Sequence, residues 1–287
     1  MKLFEDTERK VEGQLDYFRD KIFPAHSDLF LGHAQPQLAL FLETDLGLFS
    51  YGGKLITTTH SATFHLGVDP VTLLTDGSGV YLHSIYEEYG RYFGASEADT
   101  GAHIDTFVSC LDSENFNRWP DDVRADRYYR RVFNGEDTPD LNALLTVFRG
   151  MINFVDSVIG ASDDTRGIEY TVFKIRYLTL YHVLRSLRIL SDERPRDLTE
   201  RSARSINKIT QTPEVELILD PAVRPFRNIL AHYSLDSRVE VAKIDVSEPL
   251  FGLIPIYFPS HNTATFNETV NRCIRATAIV MEEWAAA

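Results

Sequence analysis

The sequence predicts a mainly α-helical protein, and three observations carry that reading. Apolar residues recur at helical spacing through the second half of the chain. Four long stretches of this kind are joined by short connections. Helix-start residues, Thr138-Pro139 and Asp220-Pro221, stand where two of the periodic stretches begin. The predicted architecture is an antiparallel helical bundle over 136–287, with a small β or loop insertion near 239–258. An N-terminal region, 1–135, is expected to be mostly α, and its pattern leaves the fold open.

The elements follow in order. Residues 3–22 read as an amphipathic helix, with Phe4, Val11, Leu15, Phe18 and Ile22 on one stripe and Pro24 as its end. From 24 to about 69, glycines at 47, 52, 53 and 67 punctuate short apolar runs, and short strands or broken helices fit equally. Residues 80–93 look helical and aromatic, and 103–111 form a short apolar segment. The polar stretch 112–140 carries the turn signals Trp119-Pro120 and Asn134-Gly135 and marks the boundary between the two regions. A helix then runs from Pro139 to about Ile159 and stops at Gly160. A second spans about 167–190, with Phe173, Tyr177, Leu180, Leu184 and Leu187 as its stripe. A shorter basic helix covers 197–210, and Asp220 caps another that reaches Tyr233. The β-branched runs at 239–246 and the apolar 250–258 suggest a strand pair or an ordered loop. Phe266, Val270, Cys273, Thr277, Val280 and Trp284 define the last helix.

Composition narrows the function. The 287 residues suffice to bury a core without staples. The sequence has no apolar run of the roughly 18 residues a membrane span needs, so no membrane association is expected. The opening MKLFEDTERK lacks the apolar core of a signal peptide. Cys110 and Cys273 stand in unrelated contexts, which argues against a disulfide framework or zinc cluster and fits a reducing, cytoplasmic setting. A net charge of -13 opposes nucleic-acid binding by charge alone. The charge is uneven, however: residues 1–140 hold 12 basic and 24 acidic side chains, whereas 171–232 hold 11 basic and 7 acidic.

That basic stretch ends in a segment suited to chemistry. Asn228 and His232 are four residues apart and share a helical face. Arg227 lies about 140° around from His232 on an ideal helix, within reach of the same rim through its long side chain. An imidazole moves protons near neutrality. A guanidinium grips phosphate oxygens and offsets transition-state charge. An amide orients either partner. RNA brings its own nucleophile, the 2′-hydroxyl. Arg224, one turn before Arg227, and Arg185 and Arg188 on the 167–190 helix are candidate phosphate contacts. Plainer roles compete: Arg227 paired with Asp220 or Glu216, and His232 sitting favourably at a helix C-terminus.

Arg227-Asn228-Ile-Leu-Ala-His232, trailed by Tyr233, resembles the RNxxxH form of the Rx4–6H motif of the HEPN superfamily. These are small helical bundles found in toxin–antitoxin, abortive-infection and CRISPR-linked ribonucleases. The resemblance covers about 140–235, with the final helix as an extension. It implies His232 in proton transfer, Arg227 on phosphate and Asn228 in support. It also implies metal-independent cleavage leaving a 2′,3′-cyclic phosphate, no cofactor, and a homodimer whose two motifs face each other. RNA is then the substrate, and an antitoxin or regulatory protein is a further expected partner. Two alternatives stand beside this endoribonuclease. One is a catalytically silent HEPN-like dimer that binds a partner protein or nucleic acid. The other is an unrelated enzyme with its site in the N-terminal half.

Other constellations are weaker. His60 and His65 lie five apart without a HExxH pattern, and His103-Ile-Asp105 needs distant partners to hold a metal. Both pairs read as ordinary loop residues, and no metal site is predicted. Asp76-Gly-Ser-Gly79 reads as a turn, and His182 as a core or interface histidine.

Overall fold

The computed structural model describes residues 11–67, 69–75, 84, 87–88, 91, 113–117, 121–135, 137–159, 170–232, 235, 237, 239–241 and 244–286. The expected helix at 80–93 and the apolar segment at 103–111 lie almost wholly outside these residues, as do Trp119-Pro120, Gly160 and Tyr233. The described chain is mostly helical, with one small three-stranded antiparallel sheet of order β2-β1-β3.

The first elements are α1 (Val11–Tyr17), a π-helical turn (Phe18–Ile22) and α2 (Phe23–Phe30). Pro24 was expected to end this helix, and it does not. The wide turn just before it closes with Phe23 N–H donating to the Phe18 carbonyl. Such a turn breaks the ordinary hydrogen-bond ladder, which is where a proline ring that lacks an N–H is accommodated. A 3-10 helix (Gln37–Leu42) leads into β1 (Leu46–Tyr51) and β2 (Lys54–Thr58). Gly52 and Gly53, at φ 55 and 77, form the two-residue hairpin loop between them. That loop matches strand twist only with positive φ at both central positions, which glycine alone adopts freely. So the 24–69 stretch, open between strands and broken helices, contains both. The sheet lies in the region expected to be mostly α.

α3 (Thr59–Leu66), capped by Thr58 Oγ1 accepting from Ser61 N–H, and α4 (Pro70–Thr75) follow. β3 (Asp121–Val123) then pairs with β1, and α5 (Ala125–Tyr129) returns the chain to the bundle. Its helices are α6 (Pro139–Asn153, continued by a π-turn to Val158), α7 (Tyr170–Glu193) and α8 (Glu200–Thr210). α9 (Pro213–Leu219), α10 (Arg224–His232), α11 (Ile254–Tyr257) and α12 (Thr263–Ala285) complete the chain. Thr138 precedes α6 as expected, but its side chain makes no capping bond. Its hydroxyl accepts from Asn134 Nδ2 instead. α12 begins with a capping box between Asn262 and Thr265. α9, started by Thr212 and Pro213, was not anticipated. Seven residues hold fewer than two turns, too short for a clear period.

Among the described residues of 239–258 there is no strand. Pro249–Gly252 form a 3-10 turn with Leu250 and Phe251 in the left-handed region, and α11 follows. Pro249 and Pro255 cannot donate to a ladder, which fits the turn and short helix found over Pro249–Gly252 and Ile254–Tyr257.

α7 is the central helix: it packs against α6, α8, α9, α10 and α12. Phe173, Tyr177, Leu180, Leu184 and Leu187 are all fully buried on it. One hydrophobic cluster draws residues from both sides of position 135, including Phe18, Leu46, Phe64 and Tyr129 with Phe148, Tyr177 and Trp284.

The join between sheet and bundle is a close backbone contact. A Cβ at Gly150 would stand 2.8 Å from the Ile56 carbonyl oxygen. One turn on, Asn153 Nδ2 donates to the Leu55 carbonyl at 2.7 Å. A mid-helix Gly→Ala change ordinarily stabilises by roughly 0.5–1 kcal/mol. Here the obstacle is backbone, so Gly150→Ala is expected to destabilise by about 1–3 kcal/mol. Urea unfolding would check the sign, and a stabilised variant would refute the contact.

Candidate functional site

The site is built on α10. Asp220 Oδ1 accepts from Ala222 N–H at 2.8 Å and starts a 3-10 turn, Pro221–Val223, that feeds the helix. Phe226, Ile229 and Leu230 are buried and anchor it. The Phe226 ring meets Tyr177 of α7 edge-on at 5.2 Å and Phe258 at 5.4 Å. With that side fixed inward, Arg224 and His232 lie exposed, and Arg227 and Asn228 are half-buried.

Arg227 Nη1 donates to Asn228 Oδ1 at 3.4 Å, a long and weak bond. The Arg227 guanidinium lies 5.8 Å from the centroid of Tyr181 on α7, in cation–π range. Asn228 and His232 share a face one turn apart, and His232 is the last residue of α10. Arg185 stands four residues after Tyr181, on the same side of α7 as the ring beneath Arg227.

Arg188 is engaged elsewhere. Its Nη2 donates to Glu216 Oε1 at 2.6 Å and to the Thr210 carbonyl at 3.5 Å, tying α7 to α9 and to the end of α8. Glu216 is therefore held by Arg188, and Asp220 serves as a cap. Arg227 itself lies against Asn228 and Tyr181.

Sequence reasoning missed a second polar cluster. His60, read as a loop residue, lies in α3 and is fully buried. Its ring stands 4.2 Å from the buried ring of His26 on α2 and edge to face with it. Tyr129 Oη lies 3.4 Å from His60 Nδ1, and His26 Nε2 lies 3.1 Å from Thr63 Oγ1. No spacing rule joins positions 26, 60 and 129, because three separate elements bring them together. His65 is exposed on α3, and His182 is buried edge-on to Phe148 at 6.1 Å. His103 lies outside the described residues.

Burial pushes His26 down to about 4 and, with His26 as neighbour, holds His60 well below the ordinary imidazole range. Both rings are thus neutral in the folded protein. The unfolded chain binds protons near pH 6.5 that the native state refuses, so stability is full above that pH and falls as pH drops from about 6.5 toward 4. For His26 alone the loss between pH 7 and pH 4.5 is about 2–2.5 kcal/mol. Urea titrations at pH 7 and 4.5 would register it, and His60→Phe should flatten the slope. A flat profile in the parent protein would contradict the burial argument.

Among the described residues, no group of three or more His, Cys, Asp or Glu side chains is placed to hold a metal ion. No described helix is long and apolar enough to cross a membrane. Comparison of the chain with family models, curated proteins and solved structures returns no match.

Proposed function

We propose that the protein is a metal-independent endoribonuclease with a HEPN-like C-terminal bundle, acting as a homodimer. One observation supports this above the rest: an amide that contacts a guanidinium shares a helix face with an exposed imidazole one turn on. In the proposed reaction the RNA 2′-oxygen attacks the adjacent phosphorus and the bond to the 5′-oxygen breaks. One product ends in a 2′,3′-cyclic phosphate and the other in a 5′-hydroxyl. His232 carries the proton, taken from the 2′-hydroxyl or given to the departing 5′-oxygen. Arg227 balances the charge that gathers on the phosphoryl oxygens. Asn228 supports them by orienting the imidazole or a phosphate oxygen. In a dimer, one copy of His232 takes the proton while the other gives it. Arg224 and Arg185 extend the phosphate path on either side.

A second reading, a catalytically silent dimer that binds a partner, is favoured by two features. Arg227 is half-buried against Tyr181, and Arg188 is occupied by Glu216. Incubation with single-stranded RNA in excess EDTA separates the two. The nuclease reading requires cleavage to persist in the chelator and to yield 2′,3′-cyclic phosphate ends. Intact RNA at every protein concentration would leave the silent dimer.

A further inference from the structure

A cleft lies between the 3-10 helix Gln37–Leu42 and α5. It encloses about 420 Å³, within the ordinary size of small-molecule sites. Its lining divides into two chemistries. Phe41, Leu42 and Tyr128 supply apolar and aromatic surface. Arg124, Arg127 and Arg131 line the same cleft. They follow one another at three- and four-residue spacing, so α5 and its flanks carry them along one side.

Two observations distinguish this cleft from an ordinary surface dip. Phe41 is 62% exposed and Leu42 67% exposed, so large apolar side chains stand in water at its mouth. Such exposure is informative when it is grouped beside a concave surface. The three arginines also form no ion pair with a described residue, although the neighbouring Arg130 is paired with Asp126 at 2.7 Å. The cleft holds two carboxylates, Glu43 and Asp122. Glu43 is already committed: its two oxygens accept from the backbone N–H groups of Gly32, His33 and Ala34 at 2.5–2.7 Å. Asp122 alone remains to offset three guanidinium charges. The groove between α8 and α12 contrasts with this. There Lys208 pairs with Glu283 at 2.9 Å, and Arg201 donates to the Trp284 carbonyl at 2.7 Å.

We infer that the cleft binds a nucleotide, its phosphate held by Arg124, Arg127 and Arg131 and its base stacked on Phe41. Guanidinium forks fit phosphate oxygens. An exposed aromatic face stacks a base of any identity. The nucleotide is either free or the end of an RNA strand, and both present the same groups. The inference is independent of the chemistry at α10.

Isothermal titration of the full chain with AMP, adenosine, inorganic phosphate and a 5′-phosphorylated RNA pentamer tests it. AMP or the pentamer should bind, and adenosine should bind at least tenfold more weakly than AMP. Tighter binding of the pentamer than of AMP assigns the site to a strand end, and the reverse assigns it to a free nucleotide. The double variant Arg127→Gln/Arg131→Gln should weaken the better ligand by roughly tenfold or more. Phe41→Ala should weaken AMP several-fold and leave inorganic phosphate unchanged. All three residues are exposed, so these variants should melt like the parent protein. If the double variant misfolds, affinity of the parent protein that falls with added salt serves in its place. The assignment is overturned if neither AMP nor the pentamer binds. It is equally overturned if binding is indifferent both to the substitutions and to salt. His232→Ala should leave the AMP affinity unchanged, which separates failure here from failure of the ribonuclease proposal.

Discussion

Replacing His232 with alanine is expected to remove RNA cleavage, a loss of about 10²–10⁴-fold for a proton-transfer group and below detection in an ordinary gel assay. The fold should survive. His232 is the exposed final residue of α10, whose anchors are Phe226, Ile229 and Leu230. An exposed substitution away from buried contacts ordinarily changes stability by no more than about 0.5 kcal/mol. The measurement pairs the cleavage rate in EDTA with a thermal melt, so that inactivity cannot be confused with unfolding. Arg227→Lys makes the complementary case. It keeps the charge but loses the planar fork, so cleavage should fall without vanishing. Undiminished cleavage by the His232→Ala protein would end the assignment of the imidazole.

Glu282→Ala is expected to cost about 3–5 kcal/mol of folding stability, because it strands a buried guanidinium. Glu282 on α12 accepts from Arg149 Nε at 2.7 Å and Nη2 at 2.6 Å, and from Asn153 Nδ2 at 2.6 Å. The Arg149 and Glu282 side chains are only 16% and 30% exposed. Burial by itself raises the Glu282 carboxyl, but the bonds from Arg149 and Asn153 outweigh it and hold the group below its ordinary range. Its contribution is therefore present above the unfolded carboxyl pKa and fades as pH falls through the lower folded value. Asn153 also bonds β2, so this cluster links α6, α12 and the sheet. An expected total of ~5–15 kcal/mol for a domain makes such a loss decisive in a denaturant titration. Replacing both partners at once, Arg149→Met with Glu282→Leu, should be much milder, since no unpaired charge is left behind. A loss below about 1 kcal/mol in the single variant would mean that water reaches the guanidinium.

The helical half was legible because its signals are local. The stripe from Phe173 to Leu187 repeats at helical spacing, and every member is buried in α7. Asp220 accepts the backbone N–H expected of a capping residue, whereas Thr138, read the same way, makes no such bond. The first half was harder for an equally physical reason. Runs such as Lys54–Thr58 are too short for period 2 and period 3.6 to be told apart. β3 has three residues and exists through its pairing with Leu46–Leu48, more than seventy positions away. Pro24 misled because a π-turn, decided by packing, accepts it.

The same division runs through the candidate site. That Asn228 and His232 share a face of α10 follows from their spacing along one helix, so the chain order alone determines it. Helical repeat and capping chemistry act between residues a few positions apart, and they needed no fold to be read. The partners of those groups did not follow. Tyr181 beneath Arg227, Glu216 on Arg188, His26 against His60 and Glu282 on Arg149 are all matched across distant segments. Which side chain meets which, and which is left facing a cleft as Arg127 and Phe41 are, depends on how whole elements pack. Only the tertiary structure decided it.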